Sequence, residues 1–393
     1  MLTAKNKQGD LVQLVHCSDE EMEMHREQQF FCPVCGQEVQ LKAGHIRIPH
    51  FAHRSLCSFA GSVDNESEEH LALKEMFIDW CESYKISYQV EAYLPDLKQR
   101  PDLLIGNIAI EVQCSSLGLG KIMKRTRTYL ANGYIPLWIC GEHFWHKQEM
   151  GENIKAFTLF SKTLGFYFWA ADWRQKTLML YYHLEENLKG QVYYGRKVWP
   201  FCSIPLNQLF HNQHELKLHH TRSYDLKTEL LNSYRYLAKK LLIKDKKVLS
   251  FQECCYKNHQ HLLQLHPWFY YEVSQRFVYT HSSFYLLCSL WQFLKEQQGE
   301  RIQFEVISQF CQQLIIREKL LYTFPAISAD CIACWLINQL VESLIVFRIL
   351  ARRAGETFVI KLPDDQFASL NQSNPFKSLD FPQAIITSTP LKI

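Results

Sequence analysis

The chain has 393 residues, of which 47% are hydrophobic and 21% charged, and its net charge is only +3. That composition supplies core material for two or three domains and excludes an intrinsically disordered chain. It also excludes a whole-molecule field as the basis for holding a polyanion, so any such binding has to come from local clusters. The first ten residues are polar and lack the apolar run of a secretory signal, from which a cytoplasmic location is expected. Fourteen cysteines scattered through a chain of this kind read as reduced thiols rather than a disulfide framework.

Residues 1–60 read as short strands around a Cys/His cluster, a module too small to be stable without a staple. Cys32-x-x-Cys35 can wrap a tetrahedral ion on a tight turn, and His50-x-x-His53 follows after fourteen intervening residues. Residue types and spacing suit structural Zn²⁺ held by Cys32, Cys35, His50 and His53, with Cys57 as a reserve ligand. The competing readings are a cytoplasmic redox pair and two ordinary surface histidines; zinc is preferred.

From residue 65 the pattern changes to a helix through 84, with Leu71, Leu73, Met76, Phe77 and Trp80 on one face. Strands are predicted at 86–94, 102–105 and 108–113, the last two turning at Gly106-Asn107. A helix over 120–132 leads through Gly133 to a strand at 134–140. A hairpin at 166–173 and 177–184, turned at Arg174-Gln175, and a strand at 191–198 are expected to extend the sheet. Beyond about 205 helical periodicity dominates, with amphipathic stretches at 227–242, 282–297 and 330–352. The stretch 334–350 carries Asn338, Gln339, Glu342 and Arg348, and no membrane span is expected. The resulting division is 1–60, 61–204 and 205–393, the last a mainly α-helical C-terminal domain.

The chemistry concentrates on the second segment. Asp102 opens one arm of the predicted hairpin, while Glu111 and Gln113 lie two apart on the other and so share a face. Carboxylates converging in this way can hold a hard divalent cation, Mg²⁺ or Mn²⁺, polarise a phosphate and lower the pKa of an attacking water. Glu66, near Glu69 and His70 at the start of the preceding helix, can supply a further carboxylate. An isolated acidic pair in a hairpin is usually solvated surface; the apolar residues around this one and the flanking helices favour a site.

Pro101-Asp102, eight intervening residues, then Glu111-Val112-Gln113 resembles the PD-(D/E)xK nuclease superfamily in its ExQ form. The wider set Cys32-Pro33-x-Cys35, Pro49-His50-Phe51-Ala52-His53, Glu66-Ser67-x-x-His70, Arg100-Pro101-Asp102 and Glu111-Val112-Gln113-Cys114-Ser115 is similar to the CoiA-like competence proteins over the first 140 residues. The resemblance implies an α/β restriction-endonuclease-like core and a part in natural transformation and recombination, acting on DNA, single-stranded or branched. It assigns catalytic roles to Asp102, Glu111 and Gln113, with Glu66 as helix-borne support, and Asp102 and Glu111 as magnesium ligands. Gln113 departs from the commoner lysine and offers a neutral amide where a positive charge would stand near the phosphate. Compensation is sought on the next helix, at Lys121, Lys124, Arg125 or Arg127. Arg125 and Tyr129, four apart on one face, are the preferred substrate contacts, with Lys121 beside them. The expected activity is that of a metal-dependent deoxyribonuclease; the alternative is a non-catalytic mediator that holds DNA and recruits a recombinase.

Weaker patterns are read as structural. Cys331 and Cys334 are expected to be core thiols, Trp268-Phe269-Tyr270-Tyr271 a core cluster, and Lys239, Lys240, Lys244, Lys246 and Lys247 a solvated helix end.

Overall fold

The computed structural model describes residues 1–44, 48–54, 66–145, 152–210, 226–272, 276–280, 283–353 and 355–362. Two compact units form, one from 1–182, 196–218 and 324–326, the other from 183–195, 219–323 and 327–393. Cys57 lies outside the described residues.

The first unit opens with a five-stranded sheet. Strands β1 (Thr3–Lys5) and β2 (Leu11–Gln13), helix α1 (Asp19–Arg26) and strands β3 (Phe30–Phe31), β4 (Glu38–Lys42) and β5 (His50–His53) give the order β2-β1-β3-β4-β5, with all neighbours antiparallel. Helix α1 starts on a capping box, Ser18 accepting from the Glu21 N–H while the Glu21 carboxylate accepts from the Ser18 N–H. A small core of Leu14, Phe30, Cys32, Val39 and Phe51 holds the sheet together.

A second sheet follows, built around α2 (Glu68–Ser83), β6 (Gln89–Val90), β7 (Leu103–Ile105), β8 (Ile108–Gln113), α3 (Leu119–Ala131) and β9 (Ile135–Cys140). After the short helices α4 (Glu142–Trp145) and α5 (Glu152–Lys155) come β10 (Leu159–Ser161), β11 (Gly165–Asp172), β12 (Thr177–Glu186), β13 (Val192–Pro200) and α6 (Leu206–Phe210). The order is β13-β12-β11-β9-β8-β7-β6, with β10 on β11. Strands β8, β9 and β11 run parallel, and β6 and β7 continue antiparallel from β8.

Strand β8 is buried along its whole length because helices cover both faces. Ile108, Ile110 and Val112 join the core of Leu73, Phe77 and Trp80 from α2, whereas Ala109 packs with Tyr129 of α3. The β7–β8 hairpin turns where expected, Gly106 adopting φ +57°, a conformation that favours glycine. The strand expected over 86–94 is cut to Gln89–Val90. Glu91 leaves the extended region at φ +50°, and only an isolated bridge, Leu94 to Gln99, continues the pairing.

The second unit contains α7 (Leu226–Leu242), α8 (Lys246–Lys257), α9 (Pro267–Glu272), α10 (Phe284–Glu296), α11 (Phe304–Arg317) and α12 (Ala329–Val346). A small sheet of β14 (Arg301–Gln303), β15 (Leu350–Arg352) and β16 (Thr357–Ile360), ordered β14-β16-β15, has no counterpart in the sequence reading. Trp268, Phe269 and Tyr270 are core residues, as their aromatic character predicts. Cys331 and Cys334, expected in a core, are exposed instead. The buried stripe of α12 runs through Ile332, Leu336, Ile337, Leu340 and Leu344, and the two thiols fall on its other side. This helix is long and apolar enough to cross a membrane by length and composition, and its stripe packs as in an ordinary core helix.

Gly141 closes β9 where it passes α2. A Cβ there would lie 2.6 Å from Glu69 Oε1 and 2.9 Å from Cys114 Sγ, and Glu69 Oε1 already accepts from the Glu142 N–H at 2.6 Å. Gly141→Ala should therefore lower stability by about 1–3 kcal/mol, measured as a shift in the denaturant midpoint of the full chain.

Candidate metal centre and nuclease-like site

Asp102 stands immediately before β7, and its backbone carbonyl accepts from the Glu91 N–H at 3.1 Å. Asp102 Oδ2 accepts from the Val112 N–H at 2.8 Å and faces His70 Nε2 at 3.1 Å. Asp102 Oδ1 faces Lys74 Nζ at 3.4 Å. Burial alone would push this carboxyl up, but the charges of His70 and Lys74 and the bonds from His70 and Val112 outweigh it and hold Asp102 well below the usual carboxylate range.

Lys74 is the residue that sequence reasoning missed. It sits on α2 with 2% of its surface exposed, 2.9 Å from Glu66 Oε1 and 2.6 Å from Glu91 Oε1. Burial disfavours its ammonium, yet Glu66, Glu91 and Asp102 together raise its pKa further above the lysine range. Burial likewise works against Glu91, and the positive charges of Lys74 and Arg100 bring it down to about 2. Glu66 follows the same pattern, held low by Lys74. A faint signal existed. Lys74 falls between Leu73 and Phe77 of the apolar pattern, and a lysine on the core side of a helix requires buried carboxylates.

Glu91 also accepts from the Leu2 N–H at 2.8 Å, the Thr3 N–H at 3.2 Å and the Thr3 hydroxyl at 2.8 Å. Its left-handed backbone costs roughly 1–3 kcal/mol, which the four donors on its carboxylate offset.

Glu111, on β8, lies under α3. Its Oε1 accepts from the Tyr129 hydroxyl at 2.6 Å and pairs with the Arg125 guanidinium. Burial pushes its carboxyl up to about 7 against the pull of Arg125. Arg125 and Tyr129 do share a face, as their spacing predicts, but that face turns inward: Ile122, Thr126 and Tyr129 form the buried stripe of α3. The structure therefore places both expected substrate contacts on Glu111, leaving Lys121 exposed at the start of the helix. Gln113 is buried at the end of β8, its side-chain N–H donating to the Ser115 carbonyl at 2.6 Å.

Glu66, His70 and Asp102 present ligand atoms within 4.8 Å of one another. Glu111 stands outside that group. Asp102, firmly ionised, and Glu66 are oxygen donors of the kind a hard divalent cation takes, so the group fits such an ion in donor type.

The second cluster is in the N-terminal sheet. Cys32, Cys35 and His53 lie within 4.8 Å of one another, Cys35 Sγ being 3.4 Å from His53 Nε2. The Cys32 carbonyl accepts from the Gly36 N–H at 3.0 Å, and Gly36 takes φ +70°, which lets the loop fold back on itself. Two sulfurs and an imidazole are the donors a tetrahedral zinc ion prefers. His50 stands outside this group, its Nδ1 2.9 Å from the Ile48 carbonyl. Strand parity explains the separation: residues three apart on β5 point to opposite faces, and His53 shares its face with buried Phe51.

A parallel-centred sheet flanked by helices, with Asp102 and Glu111 on one hairpin, defines a nuclease-like α/β domain with a small Cys/His module. The CoiA nuclease-like domain family matches residues 66–214, and the CoiA N-terminal domain family matches residues 14–60. The chain is also 36% identical over 120 residues to a protein from Bacillus subtilis (strain 168) described as Competence protein CoiA. That match covers 30% of this chain and 32% of the relative. Both CoiA domains match in this order, which, with the relative, supports the CoiA competence protein family. No solved structure matches it.

The cluster geometry separates the two histidines experimentally. Purified protein should carry about one equivalent of zinc, which His53→Ala and Cys32→Ser should lose and His50→Ala should retain, as read by elemental analysis of folded protein. Retention in His53→Ala would remove that residue from the ligand set.

Proposed function

We propose that the chain is a divalent-metal-dependent, nuclease-like protein that processes DNA, single-stranded or branched, during natural transformation and recombination in the cytoplasm. The reading is carried by one observation: Asp102, just before β7, and Glu111, on β8, are carboxylates of one hairpin whose surroundings drive their ionisation in opposite directions. Such divergence is characteristic of sites that handle protons and cations. The centre belongs, in this reading, to the PD-(D/E)xK superfamily in its ExQ form, on a restriction-endonuclease-like core.

Asp102 provides a permanently ionised oxygen, oriented by Val112, His70 and Lys74. Glu111 loses a proton near neutrality and can then accept a second positive charge. Gln113, two residues along β8 from Glu111, offers an amide able to orient water or a phosphate oxygen. Mg²⁺ or Mn²⁺, when bound, would supply Lewis acidity toward the phosphodiester. Cys32, Cys35 and His53 would hold a structural Zn²⁺ that braces the N-terminal module.

A second reading has its own observation. Glu111 is engaged by Arg125 and Tyr129, and Gln113 by its local turn, an arrangement suited to a chain that holds DNA without cutting it and recruits a recombinase.

The readings separate in a cleavage assay on single-stranded, duplex and branched DNA with Mg²⁺ or Mn²⁺. The nuclease reading expects cutting that falls at least about a hundredfold in Asp102→Asn and in Glu111→Gln, the order of magnitude for removing one transition-state contact. Protonated Glu111 cannot hold the cation, so activity should rise between about pH 6 and pH 8, with a midpoint near the raised carboxyl pKa of about 7. DNA binding without cutting by wild type on every substrate would favour the mediator.

A further inference from the structure

Glu91 is tied to the centre twice. Its N–H donates to the Asp102 carbonyl at 3.1 Å, and its carboxylate accepts from Lys74 Nζ at 2.6 Å. The remaining donors come from a different sheet: the Leu2 and Thr3 N–H groups and the Thr3 hydroxyl. Strand β1 is in turn fixed to the Cys/His module, because Phe51 of β5 donates its N–H to the Met1 carbonyl at 2.8 Å. Phe51 lies two residues before His53 on the same face of β5. A continuous run of hydrogen bonds therefore leads from the metal-ligating strand to Asp102. Its central member is buried and held in a left-handed backbone conformation that a non-glycine residue keeps only when its surroundings fix it.

We propose that the N-terminal module is a working part of the nuclease-like centre. Leu2 and Thr3 fix Glu91, and Glu91 fixes Lys74 and the Asp102 main chain, which makes Thr3, Glu91 and Lys74 positioning residues for the Asp102 carboxylate. The proposal rests on the reading of Asp102 as the cation-binding group. Of the three carboxylates around Lys74, Asp102 is the farthest, at 3.4 Å against 2.6 Å for Glu91 and 2.9 Å for Glu66. Glu91 draws the ammonium away from the oxygen that a divalent cation would use. Neutralising Glu91 returns that charge to Asp102, where it competes with an incoming cation.

The test uses the full chain carrying Thr3→Val, Thr3→Ser or Glu91→Gln, with two readouts. The first is the NMR signal of the Val112 amide, which donates to Asp102 Oδ2 and reports the position of that carboxylate. The second is Mn²⁺ affinity by calorimetry. Glu91→Gln should weaken Mn²⁺ binding on the order of tenfold, the scale of losing one nearby charge in a partly screened site. Thr3→Val should move the Val112 amide in the same direction as Glu91→Gln, while Thr3→Ser, which keeps the hydroxyl, should match wild type. Should Glu91→Gln fail to fold, Thr3→Val, which removes one hydroxyl from a buried position, decides by itself. An unmoved Val112 amide and unchanged Mn²⁺ affinity in folded Thr3→Val and Glu91→Gln overturn the proposal. If wild type binds no Mn²⁺, the cation reading of the centre fails, and the Val112 amide alone then judges whether the module positions Asp102.

Discussion

An ammonium group almost wholly removed from water, Lys74, sets the terms for the first unit. Burying a charge is unfavourable unless partners surround it, and Lys74 is surrounded by Glu66, Glu91 and Asp102. Those acids are largely removed from water as well and need more positive charge than one lysine provides, which Arg100, His70 and the Met1 ammonium contribute. The balance of three acids against Lys74, Arg100, His70 and the Met1 ammonium explains features that otherwise look unrelated. Helix α2 carries a lysine on its core side, Glu91 adopts a backbone conformation that favours glycine, and β1 docks by donating main-chain N–H groups.

The two carboxylates of the β7–β8 hairpin then meet different surroundings. On the α2 side, Asp102 is surrounded by positive charge and hydrogen-bond donors and stays ionised. On the α3 side, Glu111 is deeper in apolar surroundings, and its pairing with Arg125 does not recover what burial costs it. Two carboxylates close in the fold thus acquire different affinities for protons without differing in intrinsic chemistry.

The second unit follows simpler rules. Its helices bury regular apolar stripes, and the aromatic cluster at Trp268 to Tyr270 fills their core. The one departure at side-chain level, the exposure of Cys331 and Cys334, shows that residue type alone is a poor guide to burial for a small side chain on a helix. Ile332, Leu336 and Leu340 determine which side of α12 faces inward, and the thiols take what remains.

Local pattern was enough to read β7, β8, α3, β9 and the β11–β12 hairpin, because alternation, helical periodicity and the Gly106 turn are properties of neighbouring residues. The same locality made Asp102, Glu111, Gln113 and the Cys32-x-x-Cys35 turn legible as a constellation. The partners of those residues were not legible. His50 and His53 look equivalent as a spaced pair, and strand parity sends them to opposite faces. Arg125 and Tyr129 share a helix face, and packing against β8 turns that face toward Glu111 rather than toward solvent. Lys74 and Glu91 belong to no motif at all, and their roles arise from contacts between residues up to 89 positions apart. The sequence by itself marked the elements around the hairpin and the carboxyls of Glu66, Asp102 and Glu111; only the tertiary structure added Glu91 and decided the charge states, since ionisation depends on burial and on partners that chain order does not reveal.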